Sequence, residues 1–105
     1  MQTLTYRFPA DRTPVSQVHV GMVAPGDVEI LLDPSAGSGH ADVRVSTSVG
    51  GFDAVWHEVL ARFFARTRVS GRWELNDFGA TPDVVTLRLD QAAGAANGPG
   101  PRGRP

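Results

Sequence analysis

The chain has 105 residues, no cysteine, and ten basic residues that are all arginine. The absence of cysteine excludes disulfides, thiolate metal sites and a catalytic thiol, and the absence of lysine excludes a lysine Schiff base or a lysine general base. Residues 1–93 hold eight arginines against eleven acids, a net charge of about −3, which argues against a nucleic-acid partner because such proteins concentrate positive charge.

Alternating apolar residues predict four strands in the first half of the chain. An apolar residue at every second position places one face of a strand in the core and the other in solvent. The four apolar sets are Leu4, Tyr6 and Phe8; Val18, Val20 and Met22; Val28, Ile30 and Leu32; and Val43 and Val45. Polar residues lie between them, so we expect a sheet with one wet face, as antiparallel sheets permit.

From Asp53 the apolar period changes to that of a helix. Its stripe consists of Trp56, Val59, Leu60 and Phe63. Such a stripe packs on the apolar face of a sheet. We expect the carboxylate of Asp53 to accept hydrogen bonds from the free backbone donors of the first turn. A short strand at residues 73–75 follows.

The segment at residues 83–93 fits either a strand or a helix. Val85, Leu87 and Leu89 alternate as in a strand. Residues 81–83, Thr-Pro-Asp, instead supply a helix N-cap, a proline at the first helical position and an acid in the first turn, and we favour the helix. The predicted fold is therefore α+β, with a mostly antiparallel sheet of four to five strands packed against two helices.

The composition divides the chain into one domain at residues 1–93 and a tail at residues 94–105. The tail reads GAANGPGPRGRP, which has nothing apolar to bury, and we expect it to be disordered. No stretch approaches the roughly 20 apolar residues that span a bilayer, and the N-terminus lacks the pattern of a signal peptide. We expect a cytoplasmic protein with no membrane partner.

Catalytic and metal-binding patterns are weak. The histidines His19, His40 and His57 are scattered without ligand spacing, so no metal site is predicted. No G-x-S-x-G nucleophile motif is present. Asp27, Glu29 and Asp33 alternate and could act as acid and base, but a solvated strand face is the better interpretation. A small unrelated binding domain or hydrolase stays open on these residues alone.

Three blocks of the sequence resemble a known family. They are GMVAPGDVEILLDP at residues 21–34, VRVSTSVGGFDAVW at residues 43–56 and LNDFGATPDVVTLRLDQA at residues 75–92. In this order and spacing they resemble the acyl carrier (delta) subunit family of malonate decarboxylase and, more distantly, the acyl carrier subunit of citrate lyase. NDFGATP followed by V-x-L-R-L-x-Q is the most specific block.

The resemblance implies a carrier subunit and not an enzyme. In that family a phosphoribosyl-dephospho-coenzyme A group is joined by a phosphodiester to a serine hydroxyl directly before Gly-Asp. The thiol of this phosphopantetheine-like group carries an acetyl group that an acyl transferase subunit exchanges for malonyl, and decarboxylase subunits then release carbon dioxide. The implied partners in malonate catabolism are those subunits and the prosthetic-group transferase. A thiol of the prosthetic group would also explain a thioester carrier that has no cysteine.

The resemblance places the attachment position at Pro25, directly before Gly26 and Asp27. Proline has no hydroxyl to esterify, so the sequence departs from the family at the modified residue. Ala24 to Asp27 nevertheless suits a type II turn, with proline at its second position and glycine at its third. Two functions follow: the acyl carrier subunit, or an unmodified structural and docking homologue of it. Ser16, Ser35 and Ser38 lie in predicted loops, but none precedes Gly-Asp.

Overall fold

The structure is a computed structural model that describes residues 1–34 and 39–97. Its elements follow in the order β1 (Gln2–Pro9), β2 (Val18–Val20), β3 (Val28–Asp33), β4 (His40–Thr47), α1 (Asp53–Arg66), β5 (Gly71–Asp77) and α2 (Pro82–Ala96). The five strands form one sheet in the order β1-β4-β5-β3-β2. No described helix is long and apolar enough to cross a membrane.

The predicted α+β fold with a mostly antiparallel sheet is confirmed. Three of the strand pairs are antiparallel: β1 with β4, β2 with β3, and β3 with β5. The central pair, β4 with β5, is parallel. Here α1 carries the chain from the end of β4 back to the start of β5, as a parallel connection requires. The carboxyl ends of β4 and β5 therefore lie side by side.

The apolar set of each strand faces two helices that pack together on one side of the sheet. Val28, Ile30 and Leu32 are buried in β3, whereas the alternate positions are only partly buried. One member of the predicted sets is wrong: β2 ends at Val20, and Met22 is 66% exposed. Gly21, which lies between these two residues, has a φ of +79° and turns the chain out of the strand before Met22.

The two predicted helices are both present. In α1 the stripe residues Trp56, Leu60 and Phe63 are buried. In α2 the hydroxyl of Thr81 accepts a hydrogen bond from the backbone nitrogen of Val84 at 3.3 Å, and Pro82 occupies the first turn. This resolves the segment at residues 83–93 as helix.

The boundary predicted between the domain and the tail is too early. Helix α2 continues to Ala96, which is 1% exposed, so residues 94–96 belong to the domain. Ala96 continues the packed face that Ala92 and Ala93 begin, although the composition of the segment resembles that of a linker. Residues 98–105 lie outside the described residues, and disorder of that part stays a prediction.

The start of α1 differs from the prediction. Phe52 occupies the N-cap position, and no side chain caps the helix. The carboxylate of Asp53 instead accepts a hydrogen bond from the hydroxyl of Tyr6 on β1. Burial of Tyr6 and then the Asp53 carboxylate raise the pKa of the Tyr6 hydroxyl, which stays protonated and donates. This contact holds the start of α1 against the edge strand.

Candidate functional site

The loop between β2 and β3 carries an exposed type II turn. The backbone nitrogen of Asp27 donates to the carbonyl of Ala24 at 3.1 Å, which closes the four-residue turn. Gly26 has a φ of +82°, the value that a type II turn requires at its third position. Pro25 and Gly26 are both exposed at the tip. The turn geometry predicted from the sequence is therefore present.

The carboxylate of Asp27 fixes the base of this turn. It accepts backbone hydrogen bonds from Met22 at 3.2 Å and from Val28 at 2.8 Å. Arg88 of α2 donates two further bonds, from Nε to Oδ1 and from Nη2 to Oδ2, each at 2.9 Å. The two side chains are only 15% and 27% exposed, and a bidentate arginine–carboxylate pair of this kind restricts orientation. The base is rigidly joined to α2 while the tip stays accessible.

The loop between β5 and α2 supports the turn from the other side. The backbone nitrogen of Gly26 donates to the carbonyl of Phe78 at 2.7 Å, and that of Phe78 donates to the carbonyl of Asp27 at 3.0 Å. A side chain added at Gly79 would come within 4.0 Å of the nitrogen of Gly26. The APGD and NDFG segments, about 50 residues apart in the chain, thus form one surface.

An apolar cleft of about 350 Å³ adjoins the turn. It opens where the ends of β4 and β5 meet the first turns of both helices, and its main lining residues are Val49, Phe52, Val55, Trp56, Pro82 and Val85. Gly79 also lines it, so the apolar cleft and the turn share the loop between β5 and α2. Within the described residues, no cluster of three or more histidine, aspartate or glutamate side chains could hold a metal ion.

Comparison with known proteins assigns the chain to a family. The family model described as ACP, malonate decarboxylase delta subunit (MdcD), matches residues 15–96. The chain belongs to the malonate decarboxylase delta subunit family. The match covers the turn, the apolar cleft and both helices.

Curated relatives and a solved structure agree with this assignment. A malonate decarboxylase acyl carrier protein of Pseudomonas aeruginosa (strain LESB58) is 45% identical over 93 residues, which cover 88% of this chain and 93% of the relative. One from Stenotrophomonas maltophilia (strain K279a) is 47% identical over 96 residues, covering 88% and 91%. A chain in the crystal structure of a Pseudomonas malonate decarboxylase hetero-tetramer in complex with malonate superposes with a TM-score of 0.83. It is 38% identical, covering 90% of this chain and 97% of that chain.

Sequence reasoning located the turn of this family member but missed what holds it. The structure brings Gly26 and Asp27 together with Arg88 and Phe78, and neither partner was predicted. The available signal was V-x-L-R-L in α2, where Arg88 interrupts an apolar run. A charged residue beside a buried apolar run needs a partner of opposite charge, but the sequence does not identify which acid is that partner.

Glu29 does not form a catalytic pair with Asp27. The carboxylate of Glu29 accepts a hydrogen bond from Asn76 at 3.0 Å and lies 2.9 Å from Nε2 of His19. Glu29 lies across the sheet from the buried set of β3, on its polar face. This placement agrees with a solvated strand face. Ser16 is exposed in the loop before β2, and Ser35 and Ser38 lie outside the described residues.

The Asp27–Arg88 pair predicts a pH dependence of stability. The hydrogen bonds from Arg88, and then those from the backbone of Val28 and Met22, hold the pKa of Asp27 below its ordinary value of 3.8. A depressed carboxylate pKa contributes stability that is complete above the unfolded-state pKa and is lost as the pH falls through the folded-state pKa. We expect the stability gap between the parent and Asp27→Asn to be constant above about pH 5 and to shrink below about pH 4. Urea unfolding of both proteins at fixed ionic strength measures it, and a gap that does not change with pH contradicts the assignment.

Proposed function

We propose that the chain is the acyl carrier subunit of a malonate decarboxylase complex, a role in which it docks with enzymes and performs no chemistry itself. The observation that carries this proposal is the exposed Ala24–Asp27 turn, whose base is clamped by Arg88. It lies at the position that the sequence resemblance gives to the attachment residue of the family. The names of the relatives and the similarity to the Pseudomonas hetero-tetramer support it. Action in the cytoplasm stays a prediction from the sequence.

Residue 25 does not fit the prosthetic group that the family implies. A phosphodiester to phosphoribosyl-dephospho-coenzyme A needs a hydroxyl oxygen, and the ring of Pro25 has none. The surrounding geometry is kept, since Gly26 holds its positive φ and Asp27 its clamp. The shape of an attachment turn is thus present without the atom that would be esterified.

This mismatch supports a second candidate function, that of an unmodified docking homologue of the carrier subunit. Such a chain would occupy the carrier position beside the acyl transferase and decarboxylase subunits and hold no thioester. The carrier function itself would need attachment through another hydroxyl. Of the three loop serines considered from the sequence, Ser16 is the one within the described residues, and it is exposed. Both functions require assembly with the same partners, so assembly is the first property to test.

We expect the purified chain to co-elute in size-exclusion chromatography with the acyl transferase and decarboxylase subunits of malonate decarboxylase. Addition of the unmodified Pseudomonas carrier relative in excess should displace it, because both proteins would use one docking position. Elution of the chain alone, under conditions in which the relative co-elutes, contradicts the proposal and favours an unrelated binding domain.

A further inference from the structure

We propose that the outer edge of strand β1 is a docking site for a second copy of this chain, whose own β1 pairs with it antiparallel about a two-fold axis at Thr5. The inference goes beyond the proposed function and does not depend on it. It is supported by the hydrogen-bond phase of β1, by the side chains that a two-fold pairing brings opposite each other, and by the position of the Ala24–Asp27 turn.

Strand β1 forms one edge of the sheet and is long. It has eight residues, Gln2–Pro9, and among the strands of residues 1–34 and 39–97 it pairs only with β4. The strand at the opposite edge, β2, has three residues. A short edge strand offers little backbone to another chain, whereas a long regular edge presents a row of free N–H and C=O groups. Of the two edges, β1 is the one that can accept a further strand.

The hydrogen bonds to β4 determine which residues of β1 face outwards. The backbone nitrogen of Ala10 donates to the carbonyl of Gly39 at 3.1 Å, and these two residues extend the register of the β1–β4 pair. Hydrogen-bonded pairs alternate along an antiparallel ladder, so the even-numbered residues of β1 bond to β4. The N–H and C=O groups of Thr3, Thr5 and Arg7 therefore point away from the sheet.

A two-fold axis at Thr5 gives the register that pairs all three outward-facing residues with one another. Thr5 then lies opposite the partner's Thr5, and Thr3 lies opposite the partner's Arg7. An axis at a neighbouring position would place one of these residues beyond the strand or opposite Pro9, which has no N–H to donate. Each of the three pairs exchanges two backbone hydrogen bonds, and the two five-stranded sheets become one continuous sheet.

On the helix side of the sheet, this register brings together side chains that one copy leaves half-buried. Leu4, Tyr6 and Phe8 pack against the core, but each is only partly buried, as expected at a sheet edge. Leu4 lies opposite the partner's Tyr6 in a pair without backbone hydrogen bonds, the kind in which side chains come closest. Pairs of apolar and aromatic residues stabilise antiparallel sheets, and the pairing removes further apolar surface from water.

On the polar side of the sheet, the register sets no like charges against each other. The two Thr5 side chains lie side by side at the axis, and Arg7 lies opposite the partner's Thr3. A charged residue on an edge strand usually discourages pairing, but Arg7 is bonded to Asp42 of β4 at 2.7 Å. An axis at Arg7 would instead oppose two guanidinium groups. The side chains therefore favour the same axis as the backbone does.

The pairing leaves the Ala24–Asp27 turn free. The turn connects β2 to β3, and these two strands form the edge of the sheet opposite β1. The paired molecule therefore holds one turn at each of its outer edges. Both turns stay open to other proteins, so self-association and the carrier role are compatible.

Analytical ultracentrifugation and backbone amide exchange of the full ¹⁵N-labelled chain test the pairing. We expect the mean mass to rise from 11.2 kDa towards twice that value as the concentration reaches about 1 mM, because an edge-to-edge interface is small and therefore weak. Over the same range the amides of Thr3, Thr5 and Arg7 should exchange at least about threefold more slowly. The amides of Leu4 and Tyr6 should change less, since they already bond to β4.

Two variants carry the same substitution on the same face of β1. Thr5→Glu places two carboxylates opposite each other at the two-fold axis and should abolish the dimer at about 1 mM. Thr3→Glu is the matched control, because its carboxylate lies opposite the partner's Arg7 and should keep the dimer or strengthen it. Both threonines are exposed, so the melting temperatures of the two variants in dilute solution should match that of the parent.

Three outcomes would overturn the proposal: a monomer mass at about 1 mM, slower exchange centred on amides other than the outward-facing ones, or equal effects of the two variants. Protection of these amides that appears only after acyl transferase and decarboxylase subunits are added would also overturn it, by giving the edge to another protein. Because the measurements on the chain need no other subunit, their failure beside successful co-elution contradicts only this inference. A dimer beside failed co-elution leaves the inference standing and contradicts the assignment to the complex.

Discussion

Phe63→Ala is expected to lower the free energy of unfolding by about 3–5 kcal/mol, since it removes a buried aromatic ring and leaves a cavity. Phe63 is 1% exposed and meets two other rings edge to face, Phe64 at 4.8 Å and Trp73 at 5.6 Å between centroids. These rings join α1 to the central strand β5. A domain of this size has about 5–15 kcal/mol of stability in total, so the variant should be close to unfolding at physiological temperature.

Urea unfolding of the parent and Phe63→Ala, followed by circular dichroism, measures this loss. The matched control is Val55→Ala on the same helix, where the side chain is 42% exposed and the expected change is within about 0.5 kcal/mol. A Phe63 variant as stable as the Val55 variant would show that the ring cluster is not the core.

Gly21→Ala is the second large expected loss, about 3 kcal/mol or more. Gly21 has a φ of +79°, and a Cβ atom added there would lie only 2.0 Å from the carbonyl oxygen of Val28. The strands on either side of the turn approach so closely that the backbone must move to admit a methyl group. Moving it would disturb the Met22 hydrogen bond to Asp27 that closes the loop.

Gly26→Ala is the control that separates the steric part of that loss from the conformational part. Gly26 has nearly the same φ, +82°, but a Cβ there would meet nothing within 4 Å. Its expected cost is therefore only the left-handed strain, about 1–2 kcal/mol. The free energies of unfolding of the Gly21 and Gly26 variants, measured by thermal and urea unfolding, should differ by roughly the cost of the clash with Val28. Equal losses would mean that the loop relaxes without involving Val28.

The features that sequence reasoning predicted are those set by neighbouring residues. Alternation in β1, β3 and β4 depends on which residues can face a core, and it appears in the sequence as a period of two. The start of α2 is equally local, because Thr81 caps the nitrogen of Val84 only three residues away. The type of the turn is likewise local, because proline at its second position and glycine at its third favour type II.

The features that it missed depend on distant partners. Asp53 was expected to cap its own helix, but a tyrosine 47 residues away competes for its carboxylate. The clamp on the turn joins Asp27 to an arginine 61 residues further along the chain. The apolar cleft exists only because the parallel pairing of β4 and β5 brings their ends together under the two helices. No periodicity in one segment encodes any of these contacts.

The central proposal is that the turn at Ala24 to Asp27 corresponds to the attachment turn of the family and that Pro25 leaves it without the hydroxyl oxygen that would be esterified. The most direct measurement is the intact mass of the chain after incubation with the prosthetic-group precursor and its transferase, with Pro25→Ser treated in parallel. We predict an unchanged mass for the parent and a gain equal to the phosphoribosyl-dephospho-coenzyme A group for Pro25→Ser, because the clamp by Arg88 already holds the turn. A mass gain on the parent chain would contradict the claim.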